Sequence, residues 1–124
     1  RVEDAIYATK AALKEGIVPG GGIALLNASQ SITPENIGEK ILLKAIQAPF
    51  ATILHNAGIE KYELPKTEGM GIDVISGETV DMVKHGVIDP LLVTKTALKN
   101  AISVVSTIIS ANCVISNIRV NESS

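Results

Sequence analysis

The stretch Glu15-Gly16-Ile17-Val18-Pro19-Gly20-Gly21-Gly22-Ile23-Ala24-Leu25-Leu26 places three consecutive glycines between two apolar segments with helical spacing. Glycine has no Cβ, so such a run lets backbone approach another element or a ligand closely and adopt positive φ, at an entropic cost that something must offset. Upstream, Val2, Ala5, Ile6, Thr9, Ala12 and Leu13 recur at spacings of three and four with Glu3, Lys10 and Lys14 between them. That spacing predicts a helix ending near Gly16. Downstream, a second helix is expected from just after Gly22 to about Ser29, with Ile23, Leu25 and Leu26 as its core contacts. Two readings of Gly20, Gly21 and Gly22 stand open: a tight corner between helices, or exposed amides at a positive helix end that attract an anion. The chain has no Gly-x-x-x-x-Gly-Lys-Ser/Thr and no Gly-x-Gly-x-x-Gly after a strand, so a Walker loop and a dinucleotide fingerprint are both excluded.

Composition narrows the classes further. With 124 residues, a net charge of -2 and 46% hydrophobic residues, the chain reads as one soluble globular unit. A chain of this size buries roughly two thirds of its unfolded surface. Tyr7, Phe50 and Tyr62 are its only aromatics, so the core is aliphatic. Nucleic-acid binders need basic clusters and stacking rings, and neither is present. Ser, Asn or Lys interrupts each apolar stretch, which predicts that no segment spans a bilayer. Cys113 is the single cysteine and His55 and His85 the only histidines, which leaves no internal disulfide and no zinc spacing. A reducing compartment fits. His55 and His85 read as ordinary polar residues and Cys113 as a small core residue. The chain starts at Arg1, within an amphipathic pattern, as expected for a piece of a longer protein.

The remainder reads as helices punctuated by glycine and proline. Thr33-Pro34-Glu35-Asn36 predicts a helix start with Thr33 as N-cap, followed by a helix to Ala48 with Ile37, Ile41, Leu42, Ala45 and Ile46 inward. Pro49 should interrupt it, with Phe50–Asn56 continuing after a kink and Ala57-Gly58 closing it. Residues 59–71 carry Pro65, Gly69 and Gly71 and read as a connecting loop. Short strands are expected over Gly71–Ile75 and Val87–Ile88, with a helical turn over Glu78–Lys84 and the two strands forming a small sheet. Asp89-Pro90 starts the longest helix, expected to reach about Asn112 with Asp89 as N-cap. Its apolar band (Val93, Ala97, Leu98, Ala101, Ile102, Val105, Ile108, Ile109) is too wide for a surface helix and predicts burial on most sides. Cys113–Val120 reads as a terminal strand that needs a partner, and Asn121–Ser124 as a frayed tail. The fold class is mainly α, with one domain as the default reading and the first helix open to membership of an adjoining domain.

Three carboxylates have both a structural and a functional reading. Asp4, beside Glu3, is a first-turn charge favoured by the helix dipole, or a base that orients water toward a phosphoryl group. Asp89 is an N-cap, or an acceptor for ribose hydroxyls at a crevice mouth. Asp73, on the other predicted strand, is equally open.

Arg1-Val2-Glu3-Asp4-Ala5, Glu15-Gly16-Ile17-Val18-Pro19-Gly20-Gly21-Gly22, Gly71-Ile72-Asp73-Val74 and Gly86-Val87-Ile88-Asp89-Pro90 with its long Thr/Ala-rich helix, taken in this order, resemble the C-terminal part of group I chaperonins of the GroEL type. The resemblance runs from Arg1 to about Ile118. It implies the end of an intermediate domain over residues 1–15 and the C-terminal half of an equatorial ATP-binding domain over 16–124. It further implies that Asp4 positions the attacking water for ATP hydrolysis and that Gly21, supported by Gly20 and Gly22, contacts the ribose. Asp73 with Val74 would read the adenine, Val87 would pack on its face, and Asp89 would hold the ribose hydroxyls. The family's Gly-Asp-Gly-Thr-Thr-type phosphate loop and its magnesium-binding aspartate lie in the N-terminal half, outside this sequence. The fragment alone is therefore expected not to hydrolyse ATP. Residues 59–71 are shorter than the family's usual connection, and a Gly-Met-rich tail is absent after Ser124.

The implied partners are other subunits of a homo-oligomeric ring, joined partly through the strand around Cys113–Ile118. A co-chaperonin and unfolded proteins would be reached through the missing domains, with no nucleic acid and no membrane. The implied location is the bacterial cytoplasm or, alternatively, a mitochondrial or plastid matrix. Two rival readings are a non-enzymatic helical protein-interaction module and a stand-alone nucleotide-binding enzyme.

Overall fold

The computed structural model describes residues 1–122, with side chains through residue 111. In chain order the elements are α1 (Val2–Glu15), β1 (Ile17–Pro19), α2 (Ile23–Ser31), α3 (Ile37–Ala45), α4 (Ala48–Asn56), β2 (Met70–Ile72), β3 (Thr79–Asp81), β4 (Ile88–Pro90) and α5 (Leu91–Glu122). The architecture is mainly α, with two small antiparallel sheets.

The helix ends follow local chemistry. Gly16 ends α1 with φ 89°, and its N–H donates to the Ala12 carbonyl. The N-cap of α3 is Asn36 rather than Thr33: its Oδ1 accepts from Glu39 N–H at 2.9 Å, and Glu39 Oε2 accepts from Glu35 N–H at 2.6 Å. This reciprocal arrangement is close to a capping box, and asparagine is the stronger cap, which displaces the start by three residues. The expected break at Pro49 is present. Helix α3 stops at Ala45, and Pro49 falls in the first turn of α4, where its missing N–H leaves no bond unmade. At the end of α4, Gly58 at φ 78° lets its own N–H reach the His55 carbonyl and Ile59 N–H the Leu54 carbonyl, a Schellman closure.

The core is compact and built on α2 and α4. Ile23, Leu26, Phe50, Leu54, Ile72 and Met82 form one buried cluster, with Ile59, Val80 and Val87 packed on it. Residues 59–69 form the expected loop and are tied to α2: Gln30 Nε2 donates to the Pro65 carbonyl and Gly69 N–H to Asn27 Oδ1. Tyr62 meets Phe50 edge to face, with centroids 5.5 Å apart.

Strand pairing departs from the sequence reading. β2 pairs with β3, Gly71 opposite Val80, whereas β4 pairs with β1, Val18 opposite Asp89. The two predicted strands therefore lie in different sheets. β1 went unpredicted because three residues ending in proline carry no alternation. The turn expected over 78–84 is partly strand, and Asp73, Val74 and Ile75 leave β2 for the loop that follows it.

Further differences concern α3 and α5. Instead of pointing inward, Ile37 is 77% exposed and Ile41 65% exposed, and no residue of α3 itself is buried. No residue of α5 through Ala111 is buried either, against the expectation of a central helix. The apolar stripes of α3, α4 and α5 instead face one another across a groove of about 810 Å³, lined by Ile41, Leu42, Ala45, Ile53, Ala97 and Ile102 among others. Pro90 closes β4, so α5 begins at Leu91 and Asp89 is a strand residue, not a helix cap.

Where a terminal strand was expected at Cys113–Val120, the backbone continues as helix to Glu122. A strand needs a neighbour for its N–H and C=O groups, whereas a helix pairs them within itself. Serine and threonine on α5 do the same: Thr107 Oγ1 donates to the Ser103 carbonyl and Ser110 Oγ to that of Ser106. The side chain of Cys113, and residues 123–124 of the expected frayed tail, lie outside the described residues. Contrary to the expectation for the whole chain, Leu91–Ala111, at mean hydropathy 1.2, is long and apolar enough to cross a bilayer by length and composition. Lys95 lies on that helix and pairs with Glu15 at the end of α1, 2.9 Å away.

Candidate functional site

The glycine run is a close-packed corner. Gly20 is buried and donates its N–H to the Val87 carbonyl at 2.9 Å. Gly21 (φ 69°) stands over Met82, and a Cβ there would lie 2.8 Å from Met82 Cε. Gly22 caps α2 in the left-handed region, and a Cβ there would lie 2.6 Å from Phe50 N and 2.7 Å from Phe50 Cα. The first glycine thus receives β4's approach, the second receives the side chain beneath β3, and the third lets α2 start directly against α4. The corner reading holds, and it brings Gly20 and Gly21 to the segment Met82–Val87.

Asp73 opens the loop after β2 and is held by three donors. Its Oδ1 accepts from Ile75 N–H at 2.9 Å, and its Oδ2 accepts from Ser76 Oγ at 3.1 Å and from His85 Nε2 at 3.2 Å. An ionised carboxylate can only accept, so Nε2 carries the proton in that contact. The backbone closes the same loop, with Asp73 N–H donating to the Glu78 carbonyl and Gly77 N–H to the Asp73 carbonyl. These donors lower the Asp73 pKa below its ordinary value of 3.8: the Ile75 N–H contributes most, burial opposes it, and Ser76 and His85 add to the lowering. A carboxylate lowered in the folded state stabilises it above the unfolded value, and that contribution disappears as pH falls through the folded value. Carbon-13 NMR of the labelled side-chain carboxyl should therefore show Asp73 titrating below 3.8 in the folded protein, with the midpoint rising toward 3.8 on unfolding. A folded midpoint at or above 3.8 contradicts the three-donor arrangement.

Val74, beside it, is exposed in the turn. Val87 is partly buried against the core, two residues after His85, and its N–H donates to the Met82 carbonyl. Asp89 is exposed on β4 opposite Val18, and with Pro19 and Gly22 it lines the mouth of the apolar groove. The fold thus links the glycine run to Val87 by a backbone bond, to Asp89 through the β1–β4 pair, and to the His85 turn through Met82. Asp4 stays apart. It is exposed in the first turn of α1, roughly 16 Å along the axis from Glu15 at about 1.5 Å per residue. Helix α1 itself packs on β4 and α5.

Two contributors were invisible in the sequence. By sequence His85 is an ordinary polar residue, and its contact with Asp73 spans twelve positions with no periodic pattern to mark it. Met82 underlies both Gly21 and Gly71. Among the described residues no three His, Cys, Asp or Glu side chains converge to hold a metal ion. Around the glycine corner, Val87 offers a partly buried apolar side chain, and Asp89 and Asp73 offer acceptors.

Comparison with known proteins gives this arrangement its context. The chain is similar to the group III chaperonin whose crystal structure in the open state is known, with 29% identity and a TM-score of 0.70 over 81% of this chain. It spans 24% of that protein's chain. The sequence profile of the TCP-1/cpn60 chaperonin family matches residues 1–119. With that profile covering nearly the whole length, and the mainly α fold shared with a solved chaperonin, the chain belongs to the TCP-1/cpn60 chaperonin family.

Proposed function

We propose that this chain is the C-terminal part of an ATP-driven, group I-type chaperonin, and that it supplies the adenosine-facing wall of the nucleotide site. The observation that carries the reading is the linkage of the glycine run, Val87 and Asp89 into one rigid patch by the Gly20–Val87 bond and the β1–β4 pair. Residues 1–15 form the end of the intermediate domain, and residues 16–124 the second half of the equatorial domain. Gly21 and Asp89 contact the ribose, Asp73 and Val74 the adenine edge, Val87 its face, and Gly20 and Gly22 support the turn.

Asp4 orients water for attack on the γ-phosphate when α1 swings toward the site, a hinge motion of the kind that closes domains around ligands. The triphosphate and Mg²⁺ are held by the N-terminal half of the parent. When bound, Mg²⁺ neutralises charge developing on the phosphoryl oxygens. The same N-terminal half covers the apolar groove between α3, α4 and α5, which accounts for the exposed stripes on these helices. In the parent, rings of identical subunits fold non-native proteins with a co-chaperonin, in the bacterial cytoplasm or an organelle matrix.

The test is nucleotide binding by the full-length ring carrying Asp89→Ala. Losing a carboxylate that accepts from ribose hydroxyls is expected to weaken ATP binding by about tenfold or more, since hydrogen bonds to charged groups contribute roughly 1.5–3 kcal/mol. Calorimetric titration that shows unchanged affinity would remove Asp89 from the site and, with it, the proposed adenosine wall.

A further inference from the structure

The Asp73 carboxylate is nearly saturated before any ligand arrives. A carboxylate offers about four acceptor positions on its two oxygens. Ser76 and His85 occupy both positions on Oδ2, and Ile75 N–H occupies one on Oδ1. One acceptor position remains, on Oδ1. The His85 ring is carried by a well-anchored turn: His85 N–H donates to the Asp81 carbonyl, Gly86 N–H to that of Val83 and Val87 N–H to that of Met82. Met82 is 2% exposed, so the turn is pinned to the core. The Asp73 loop, by contrast, is exposed from Val74 to Glu78 and makes its side-chain bonds mostly within itself. His85 is the contact that fixes this loop's carboxylate to the rigid part of the site.

We infer that His85 is a positioning residue for purine recognition: by holding Asp73 Oδ2, it leaves Oδ1 as a single, oriented acceptor for a 6-amino group. At position 6 itself a 6-oxo purine presents only lone pairs, so an acceptor fixed opposite that position meets it unfavourably, whereas a carboxylate free to shift could reach the neighbouring N1–H and 2-amino donors. His85 therefore bears on the preference for adenine over guanine nucleotides without touching the base. This rests on the reading of Asp73 as the adenine contact. The pair lies at the surface, where Asp73 is 16% and His85 50% exposed by side chain, so its effect is modest.

The experiment is calorimetric titration of the full-length ring with ADP and GDP. His85→Ala is expected to weaken ADP binding about threefold to fivefold, the upper part of the range for an exposed side-chain pair, with GDP affinity unchanged. His85→Gln, which keeps an N–H donor at similar reach, should return ADP affinity to within about twofold of the parent. Combining His85→Ala with Asp73→Ala should weaken ADP no further than Asp73→Ala alone, because the two act through one carboxylate. If Asp73→Ala weakens ADP binding and His85→Ala does not, this inference is wrong while the adenine reading stands. If Asp73→Ala leaves ADP binding unchanged, the adenine reading itself fails, and this inference with it. Equal loss in His85→Ala and His85→Gln, matched by a lower melting temperature, would overturn it in favour of a purely structural turn.

Discussion

Replacing Asp4 with alanine in the full-length ring is expected to lower ATP turnover roughly 10²- to 10⁴-fold, the usual contribution of a positioned general base, while ATP still binds. The physical basis is separation of tasks. Asp4 sits on α1, away from the glycine corner, and among the described residues its carboxylate makes no hydrogen bond or ion pair. On the proposed reading, a carboxylate without a partner among the described residues is available to accept a proton from water when α1 swings toward the site. It lies outside the proposed adenosine wall, so binding should survive its loss. Asp4→Asn, which keeps the shape and removes the base, should be nearly as slow. Steady-state phosphate release measured beside nucleotide affinity separates the steps. Turnover within about threefold of the parent would remove Asp4 from catalysis and reduce it to a charge at the helix N-terminus.

The second large effect concerns folding. Gly22→Ala is expected to destabilise the fold by roughly 2–6 kcal/mol, combining a left-handed non-glycine backbone with overlap in a packed core. The overlap is with backbone: the new Cβ would lie 2.6 Å from Phe50 N and 2.7 Å from Phe50 Cα, so relief requires α2 and α4 to separate. Ile23 and Leu26 on one side and Phe50 and Leu54 on the other are the most deeply buried residues of the chain's core, and that separation would open it. Gly77→Ala is the control. Gly77 has a similar φ of 76° with nothing within 4 Å of its Cβ position, so it should show the conformational cost alone, about 1–2 kcal/mol. Denaturant unfolding of both variants distinguishes the terms, and equal destabilisation would mean that close packing at Gly22 contributes nothing.

The α1 period, the Pro49 break, the Gly58 closure and the loop before β2 are local signals, and each is present. The cap of α3 was misplaced because Thr33-Pro34 and Asn36 with Glu39 are both valid start signals three residues apart. The exposure of α3 and α5 has another origin. A wide apolar band states that a surface needs cover, but not that the cover lies in the same stretch of chain.

The sequence by itself determined the mainly α character, the family through its ordered motifs, and the demand for glycine at three successive positions. These depend on residues close together along the chain, where side-chain period and backbone freedom act directly. Only the tertiary structure decided that β4 pairs with β1 rather than with the strand nearest in sequence, that Gly22 rests on Phe50, and that His85 holds Asp73. Each of these joins segments with no shared local pattern, and is selected by the fit of α2 against α4 and by the backbone bonds that follow from it.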